Sequence, residues 1–527
     1  MLIEQEVDYQ KIIMKIHDIK TLGELKKSGY KSLHIKDELR KNLIEKIRNK
    51  ENTFPGIIGY EDSVIPDTER AILSRHNVLF LGLRGQAKTR MARQMTQLLD
   101  EYIPVIHGSE INDDPFHPLS KYAKDQIAQH GDDTPISWLH RNERYGEKLA
   151  TPDVSVADLI GDIDPIKAAN LRLSFSDELV IHYGIIPRSN RSIFVINEIP
   201  DLQARIQVAL FNILEEGDIQ IRGFKLRMPL DIMFVFTANP EDYTNRGSIV
   251  TPLKDRIQSQ ILTHYPKDLE TSLSITEQEA HIQEEQKKIN VSDLVKRLIE
   301  QVAFEARSNE YVDKKSGVSA RLTIAAYENA VSSAERRAII HNEKDTQVWI
   351  SDLAGIIPSI TGKIELVYEG EQEGPYQVAL NLVDKAIRTQ FIQYFPNPEV
   401  LKKRKTTGKV STSQREDDNP YQAITKWFDK GNHVDLMVET NDAEKIATLY
   451  KVEGLYGIVK KYFPKANEKE SALLMEFVLH GLAAYSLISK KIIDGKIQFK
   501  DLIGSMMNLG PFNTEDDDNI FNEDDYK

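Results

Sequence analysis

Lys88 and Thr89 close the segment Gly82-Leu83-Arg84-Gly85-Gln86-Ala87-Lys88-Thr89, which lies between an apolar run, Val78 to Leu81, and a stretch whose Met91, Met95, Leu98 and Leu99 recur at helical spacing. A loop in that position turns successive backbone N–H groups toward the phosphates of a nucleotide, at a helix N-terminus whose dipole favours anions. Lys88 adds a point charge on the β- and γ-phosphates, and the Thr89 hydroxyl is a ligand for Mg²⁺. Gly82, Gly85, Gln86 and Arg90 complete the set of candidate nucleotide contacts. The pattern departs from GxxxxGK[ST] at Ala87. Alanine accepts helical dihedrals, so the loop can close if that residue sits at the helix start. The competing reading is a glycine-containing strand-to-helix turn with a surface lysine.

Further along, the buried-strand run Ser192 to Ile196 ends in Asn197-Glu198. A carboxylate at the tip of a strand beside the phosphate loop can polarise an attacking water, which makes Glu198 the candidate base. Asn197 stands where an aspartate usually steadies the hydration shell of magnesium. Its amide oxygen can still accept from metal-bound water but brings no charge, so slow hydrolysis is possible. A third run, Asp231 to Phe236, leads to Asn239, a polar residue placed to orient the lytic water. Arg256, in Pro252-Leu253-Lys254-Asp255-Arg256, is a cation able to reach a neighbour's γ-phosphate; an Asp–Arg pair at a helix end is the plainer reading. Arg321, in Ser319-Ala320-Arg321-Leu322, is a second such cation at the start of a predicted helix.

The elements that must carry these residues follow from periodicity. Residues 1–54 read as helical, with apolar positions three and four apart until Pro55 and Gly56 break the pattern. From 55 to 262 short β-like runs, NVLFLGL, YIPVIHG, SIFVINEI and DIMFVFTAN, alternate with helices, which predicts a parallel sheet covered on both faces. Residues 263–395 read as helices, interrupted by GKIELVYEGEQEGPY as a small insertion or edge strand. Residues 396–420 are a charged, Ser/Thr-rich linker containing Lys402 and Lys405, 421–512 a second helical region, and 513–527 an acidic tail expected to be disordered.

Taken together these residues resemble the AAA+ ATPases, and within them the MoxR and magnesium-chelatase ATPase-subunit branch. The resemblance covers roughly 56–335. It implies an α/β fold, a P-loop AAA+ parallel sheet flanked by helices with a helical lid, to which this chain adds N- and C-terminal helical regions. Gly-x-x-Gly-x-Ala-Lys-Thr is similar to the MoxR form of the phosphate loop. In the family's terms Asn197-Glu198 matches the end of the Walker B strand, Asn239 matches sensor 1, Arg256 the arginine finger and Arg321 sensor 2. Gly59 and Tyr60 fall in a stretch similar to the one that wraps adenine, with Tyr60 where glutamine is common. The segment between Asp153 and Asn190 resembles the branch's helix-2 insert, and residues 217–228 its pre-sensor-1 hairpin. The resemblance implies ATP and Mg²⁺ as cofactors, a homo-oligomeric, typically hexameric ring with ATP between neighbours, and a protein partner carrying a von Willebrand A domain. That partner domain is not visible in this chain.

Bulk properties agree with a protein motor rather than a nucleic-acid coat. The chain has 527 residues, 40% hydrophobic and 28% charged, with a net charge of −13, so nucleic acid is not the expected partner. Its lack of cysteine excludes disulfides, thiolate metal sites and cysteine nucleophiles. A leader-like start and an apolar run of about 18 residues are both missing from the sequence, which points to a cytoplasmic protein with no membrane partner. His107, His117, His130 and His140 lack metal-site spacing and read as loop histidines. Two other functions stay open: a nucleotide-dependent assembly scaffold with little hydrolysis, and a DNA-linked AAA+ motor.

Overall fold

The computed structural model describes residues 18–502 except 222–223, 225–226, 241–247, 401–418 and 494–495. Lys402 and Lys405 with most of the predicted linker, the acidic tail and part of the 217–228 hairpin therefore lie outside the described residues. The chain divides into two compact units, Met1–Pro266 and Lys267–Lys527.

Among its described residues the first unit has eleven strands in chain order: β1 (Val78–Leu81), β2 (Tyr102–Ile106), β3 (Ile136–His140), β4 (Tyr145–Leu149), β5 (Gly161–Ile163), β6 (Ile181–Tyr183), β7 (Ser192–Asn197), β8 (Asp218–Gln220), β9 (Arg227–Pro229), β10 (Ile232–Ala238) and β11 (Ser259–Leu262). Five of them form the central sheet in the order β11-β1-β10-β7-β4, with every pairing parallel. β7 and β10 are buried at every residue, as continuous runs of β-branched and aromatic side chains require when both faces are covered. One face, with Val78, Phe80, Val195 and Val235, packs on the helices Ile35–Arg48, Val64–Leu73 and Lys88–Gln94; the other, with Leu79, Phe194 and Phe236, packs on the segments inserted around β5, β6, β8 and β9.

Two readings of this region change. The YIPVIHG run, expected in the parallel sheet, is β2, and it pairs antiparallel with β3 in a separate ribbon. Pro104 lacks an N–H for the ladder, a loss that a two-stranded ribbon tolerates and a central strand does not. Its place at the sheet edge is taken by β4, YGEKL, whose alternating polar residues hid it among the loops. β11, SQIL, is the other edge and was hidden for the same reason.

The leading helices belong to this unit. Ile35, Leu39 and Leu43 are buried in the face that holds the phosphate-loop helix. On the same helix, Glu38 meets the guanidinium of Arg144 in a two-pronged pair, 2.6 and 2.7 Å, with both side chains buried. The backbone N–H of Asp100 donates to Glu38 as well, at 2.6 Å.

The second unit is mainly helical, with long helices at Asp293–Ser308, Arg321–His341, Pro375–Tyr394 and Glu468–Ala484 around one core. Val295, Leu322, Leu382, Ile424, Leu449 and Leu473 all contribute to that core, so residues beyond 420 pack with those before 395. The predicted helical region 421–512 also contains a three-stranded antiparallel sheet of β12 (Val434–Met437), β14 (Lys496–Lys500) and β13 (Ser489–Ile493), in that order. The GKIELVYEGEQEGPY segment is not an edge strand: apart from an isolated bridge at Leu366, it forms the helix Tyr368–Glu373 and turns at Gly374, φ 91°, into the helix that begins at Pro375. Glutamate-rich residues favour helix over strand, and glycine alone takes that turn without strain.

Candidate functional site

β1, β7 and β10 end side by side, and their C-terminal ends carry the site. From β1 the chain enters the loop 82–87 and then the short helix Lys88–Gln94. The loop is tightly held. A Cβ on Gly82 would come within 2.0 Å of Thr263 Oγ1 and 2.2 Å of Gln86 Oε1, so only glycine fits there. Gly85 has φ 71°, a second position that favours glycine. Gln86 is buried and accepts from Thr263 Oγ1 at 2.7 Å.

Ala87 does not take the helical dihedrals expected of it. It caps the helix in the left-handed region, φ 55° and ψ 18°, where an L-residue with a Cβ is disfavoured by about 1–2 kcal/mol. The loop closes with the geometry of a glycine, and the alanine bears the strain.

Lys88 is buried, and its ammonium donates to the carbonyls of Gly82 and Leu83 and, at 2.5 Å, to Asn239 Oδ1. The other end of the Asn239 amide donates to Glu198 Oε2 at 2.7 Å. Glu198 is itself in the left-handed region, φ 54°, at the turn that ends β7, and its N–H donates to Thr237 Oγ1 at 3.1 Å. Thus Lys88, Asn239 and Glu198, read separately from three distant segments, form one hydrogen-bonded chain.

Asn197 lies one residue before, facing the phosphate-loop helix. Its Oδ1 accepts from Thr237 Oγ1 at 3.1 Å and from Thr89 Oγ1 at 3.4 Å, and its Nδ2 donates to Glu147 Oε1 on β4. The second oxygen of Glu147 pairs with Arg93 at 2.9 Å, and that guanidinium stacks 5.4 Å from the Tyr145 ring centre. Glu147, Thr237 and Arg93 were not among the residues picked out of the sequence. Glu147 and Arg93 carried no motif; they are found only by knowing which strand borders β7.

The residues present fit Mg-ATP. The glycine-restricted loop and buried ammonium suit a polyphosphate, and Thr89 donates its hydroxyl proton to Asn197, leaving its oxygen lone pairs for a hard cation.

Gly59 and Tyr60 lie beneath the loop. The buried Tyr60 hydroxyl is 2.8 Å from Gln86 O and 2.9 Å from His264 O, so its side chain braces the loop's backbone. Burial pushes the phenol pKa up, which keeps it a neutral donor. Gly59, φ 83°, donates its N–H to Glu61. Arg90 occupies the first turn of the phosphate-loop helix, partly exposed.

Two candidate cations remain. Arg256 ends the helix Thr251–Arg256, where it pairs with Glu215 of its own chain, Nε to Oε2 2.7 Å, and stacks 4.9 Å from the Phe211 ring centre; Asp255 is not its partner. Arg321 opens the helix Arg321–His341 in the second unit and is exposed. Of the histidines, His107 lies 2.7 Å from Ser137 Oγ and His117 3.7 Å from Asp114, contacts of ordinary loop residues.

Residues 132–257 match the family model described as AAA domain (dynein-related subfamily). That span includes Asn197, Glu198, Asn239 and Arg256, and begins after Lys88. With its five-stranded parallel sheet, flanking helices and phosphate loop after β1, the first unit has the AAA+ P-loop fold. Similar solved structures include a complex of subunits BchI and BchD of magnesium chelatase, 18% identical, TM-score 0.31, covering 60% of this chain and 98% of that one. NtrX from Brucella abortus in complex with ADP is 11% identical, TM-score 0.33, covering 77% and 74%. Hsp104 with a bound nucleotide analogue and casein is 14% identical, TM-score 0.33, covering 58% and 49%. The comparison with curated proteins finds no match.

Proposed function

We propose that this chain hydrolyses Mg-ATP at the interfaces between copies of itself in a ring, typically hexameric, and uses the cycle to remodel, activate or metal-load a partner protein, as MoxR and magnesium-chelatase ATPase subunits do. The observation that carries this reading is the chain Lys88–Asn239–Glu198 at the mouth of the sheet. Lys88 offers its charge to the γ-phosphate as negative charge develops there, while Asn239 holds the Glu198 carboxylate to receive the proton of the attacking water. Thr89 and Asn197 would hold the magnesium ion and its water, and the ion would supply charge neutralisation at the phosphates.

Arg256 from a neighbouring copy is the candidate for the last positive charge, and Arg321 for a second. To reach a neighbour Arg256 must leave Glu215, whose side chain is 55% exposed, so that solvent screens the ion pair it gives up. A partner with a von Willebrand A domain and a cytoplasmic location complete the proposal. Among the described residues no helix is long and apolar enough to cross a membrane.

Asn197 favours a second reading, in which ATP binding sets assembly and hydrolysis is negligible because the metal site lacks its aspartate. Phosphate release separates the two. For the first reading, the chain releases phosphate from ATP, and Glu198→Gln keeps nucleotide affinity while turnover falls by roughly 10²–10⁴. Native turnover in the glutamine variant removes Glu198 from the role of base; no turnover in the native chain, with binding intact, leaves the scaffold.

A further inference from the structure

We propose that Glu147 supplies, from the strand beside Asn197, the carboxylate charge that holds the hydration shell of magnesium in place of the missing aspartate. The inference rests on the nucleotide-binding reading above and adds to it a metal-site residue that no motif identifies.

The geometry begins with the register of the sheet. β4 runs parallel to β7 with Glu147 opposite Val195 and Leu149 opposite Asn197. Side chains on a strand alternate between faces, so Glu147, Val195 and Asn197 share one face. Val195 is buried in one cluster with Met91 of the phosphate-loop helix and Met95 just after it, which identifies that face as the one beneath Lys88 and Thr89. Glu147 is therefore the carboxylate one strand over and one tier below the position an aspartate would occupy at 197. A glutamate also has one more methylene than an aspartate, which extends its reach toward the tip of the strand.

Its contacts run in the same direction. Thr89, Asn197, Glu147 and Arg93 form a closed circuit: Thr89 donates to Asn197, Asn197 to Glu147, and Arg93 to Glu147, with Thr89 and Arg93 one turn apart on the same helix. If Glu147 served only to tie down Arg93, both of its oxygens could face the guanidinium, which is the usual two-pronged arrangement. Instead one oxygen turns inward to the Asn197 amide, and the side chain is only 27% exposed where that of Arg93 is 67% exposed. Magnesium sheds its water reluctantly and is commonly held through that water by nearby carboxylates, so a carboxylate one residue removed from the tip can act on it without direct ligation. Arg93 sets the strength of the effect, since its positive charge offsets part of the negative charge that Glu147 presents.

The test measures fluorescent ADP binding to the full chain, once with Mg²⁺ and once with EDTA, and takes the ratio of the two affinities. Removing an outer-shell partner of a metal typically costs 10- to 100-fold in metal affinity. Glu147→Gln, nearly the same shape, should leave EDTA binding unchanged and cut the magnesium-dependent gain by roughly tenfold. Adding Asn197→Asp to that variant should restore the gain, and Arg93→Gln alone should raise it above the native value. A native magnesium ratio in Glu147→Gln overturns the inference while nucleotide binding stands. A loss of EDTA binding in Glu147→Gln that Asn197→Asp fails to restore assigns the residue to the fold and overturns it too. Absence of ADP binding in the native chain under either condition removes the reading beneath it and this inference together.

Discussion

The ammonium of Lys88 and the amide oxygen of Asn239 stand 2.5 Å apart, although 151 residues separate them in sequence. Because the same amide donates to Glu198, a change in what Lys88 holds is felt at the proposed base through a single rigid group. Asn239→Ala cuts this link and leaves every residue of the phosphate loop unchanged. Turnover should fall roughly 10²-fold through misplacement of Glu198, with ATP affinity nearly native, whereas Lys88→Ala should abolish binding. Calorimetric titration with ATP beside a phosphate-release assay checks both. An Asn239→Ala variant whose affinity falls as far as its turnover would show that the amide acts on bound ATP and not on the chemical step.

Ala87 bears left-handed strain that glycine would not. Ala87→Gly removes about 1–2 kcal/mol of that strain but adds about 0.5–1 kcal/mol of chain entropy to the unfolded state, so the first unit should gain up to about 1.5 kcal/mol. Ala87→Val, with a branched Cβ, should lose stability at the same position. Urea unfolding followed by fluorescence measures both, and a less stable glycine variant would contradict the assigned backbone.

Arg256 is proposed to act on a neighbouring copy. Arg256→Ala should lower turnover much more than affinity, and so should Lys88→Ala through loss of ATP. Mixed in equal amounts, the two inactive proteins should recover measurable phosphate release, because some interfaces pair an intact loop with an intact arginine. A mixture as inactive as its parts would exclude action in trans.

His480 lies on the buried helix Glu468–Ala484 with its ring edge-on to Phe499, 5.1 Å between centres. Burial depresses its pKa well below 6.5, and the charges of Lys490 and Lys445 add to the effect. A folded-state pKa below the unfolded value gives stability that is present above about pH 6.5 and is lost as pH falls toward the folded value, at about 1.4 kcal/mol per pH unit. The second unit should therefore lose stability between pH 7 and 5, and His480→Leu should flatten that slope. Urea unfolding at several pH values tests it; parallel slopes in the two proteins would count against the histidine.

Much of the site was legible because it is local. Lys88 and Thr89 follow a strand within a single segment, and Asn197-Glu198 and Asn239 each end a run of apolar residues buried on both faces. What was hidden depends on neighbours in space. β4 and β11 border the sheet, where one side is not covered, so their sequences alternate like a loop's and give no strong signal. Glu147 could be recognised only after β4 had been set beside β7. Ala87 shows the opposite error: its type suggested ordinary helical dihedrals, and the demand of the loop overrode that preference. In the second unit the antiparallel sheet escaped notice because β13 and β14 mix lysine with isoleucine, a pattern that a helix face also shows.

Pro55 marks a change of periodicity, yet it is not a place where the protein can be cut. A polypeptide started there would leave the Arg144 guanidinium stranded in the interior, its counter-ion Glu38 gone and the amide of Asp100 without its acceptor. Stranding one member of such an enclosed pair costs roughly 3–5 kcal/mol, a large part of what a domain of this size has to lose. The leading helix is thus a fastening for the far edge of the sheet, and trimming it for convenience would unseat β4 and the glutamate that β4 carries.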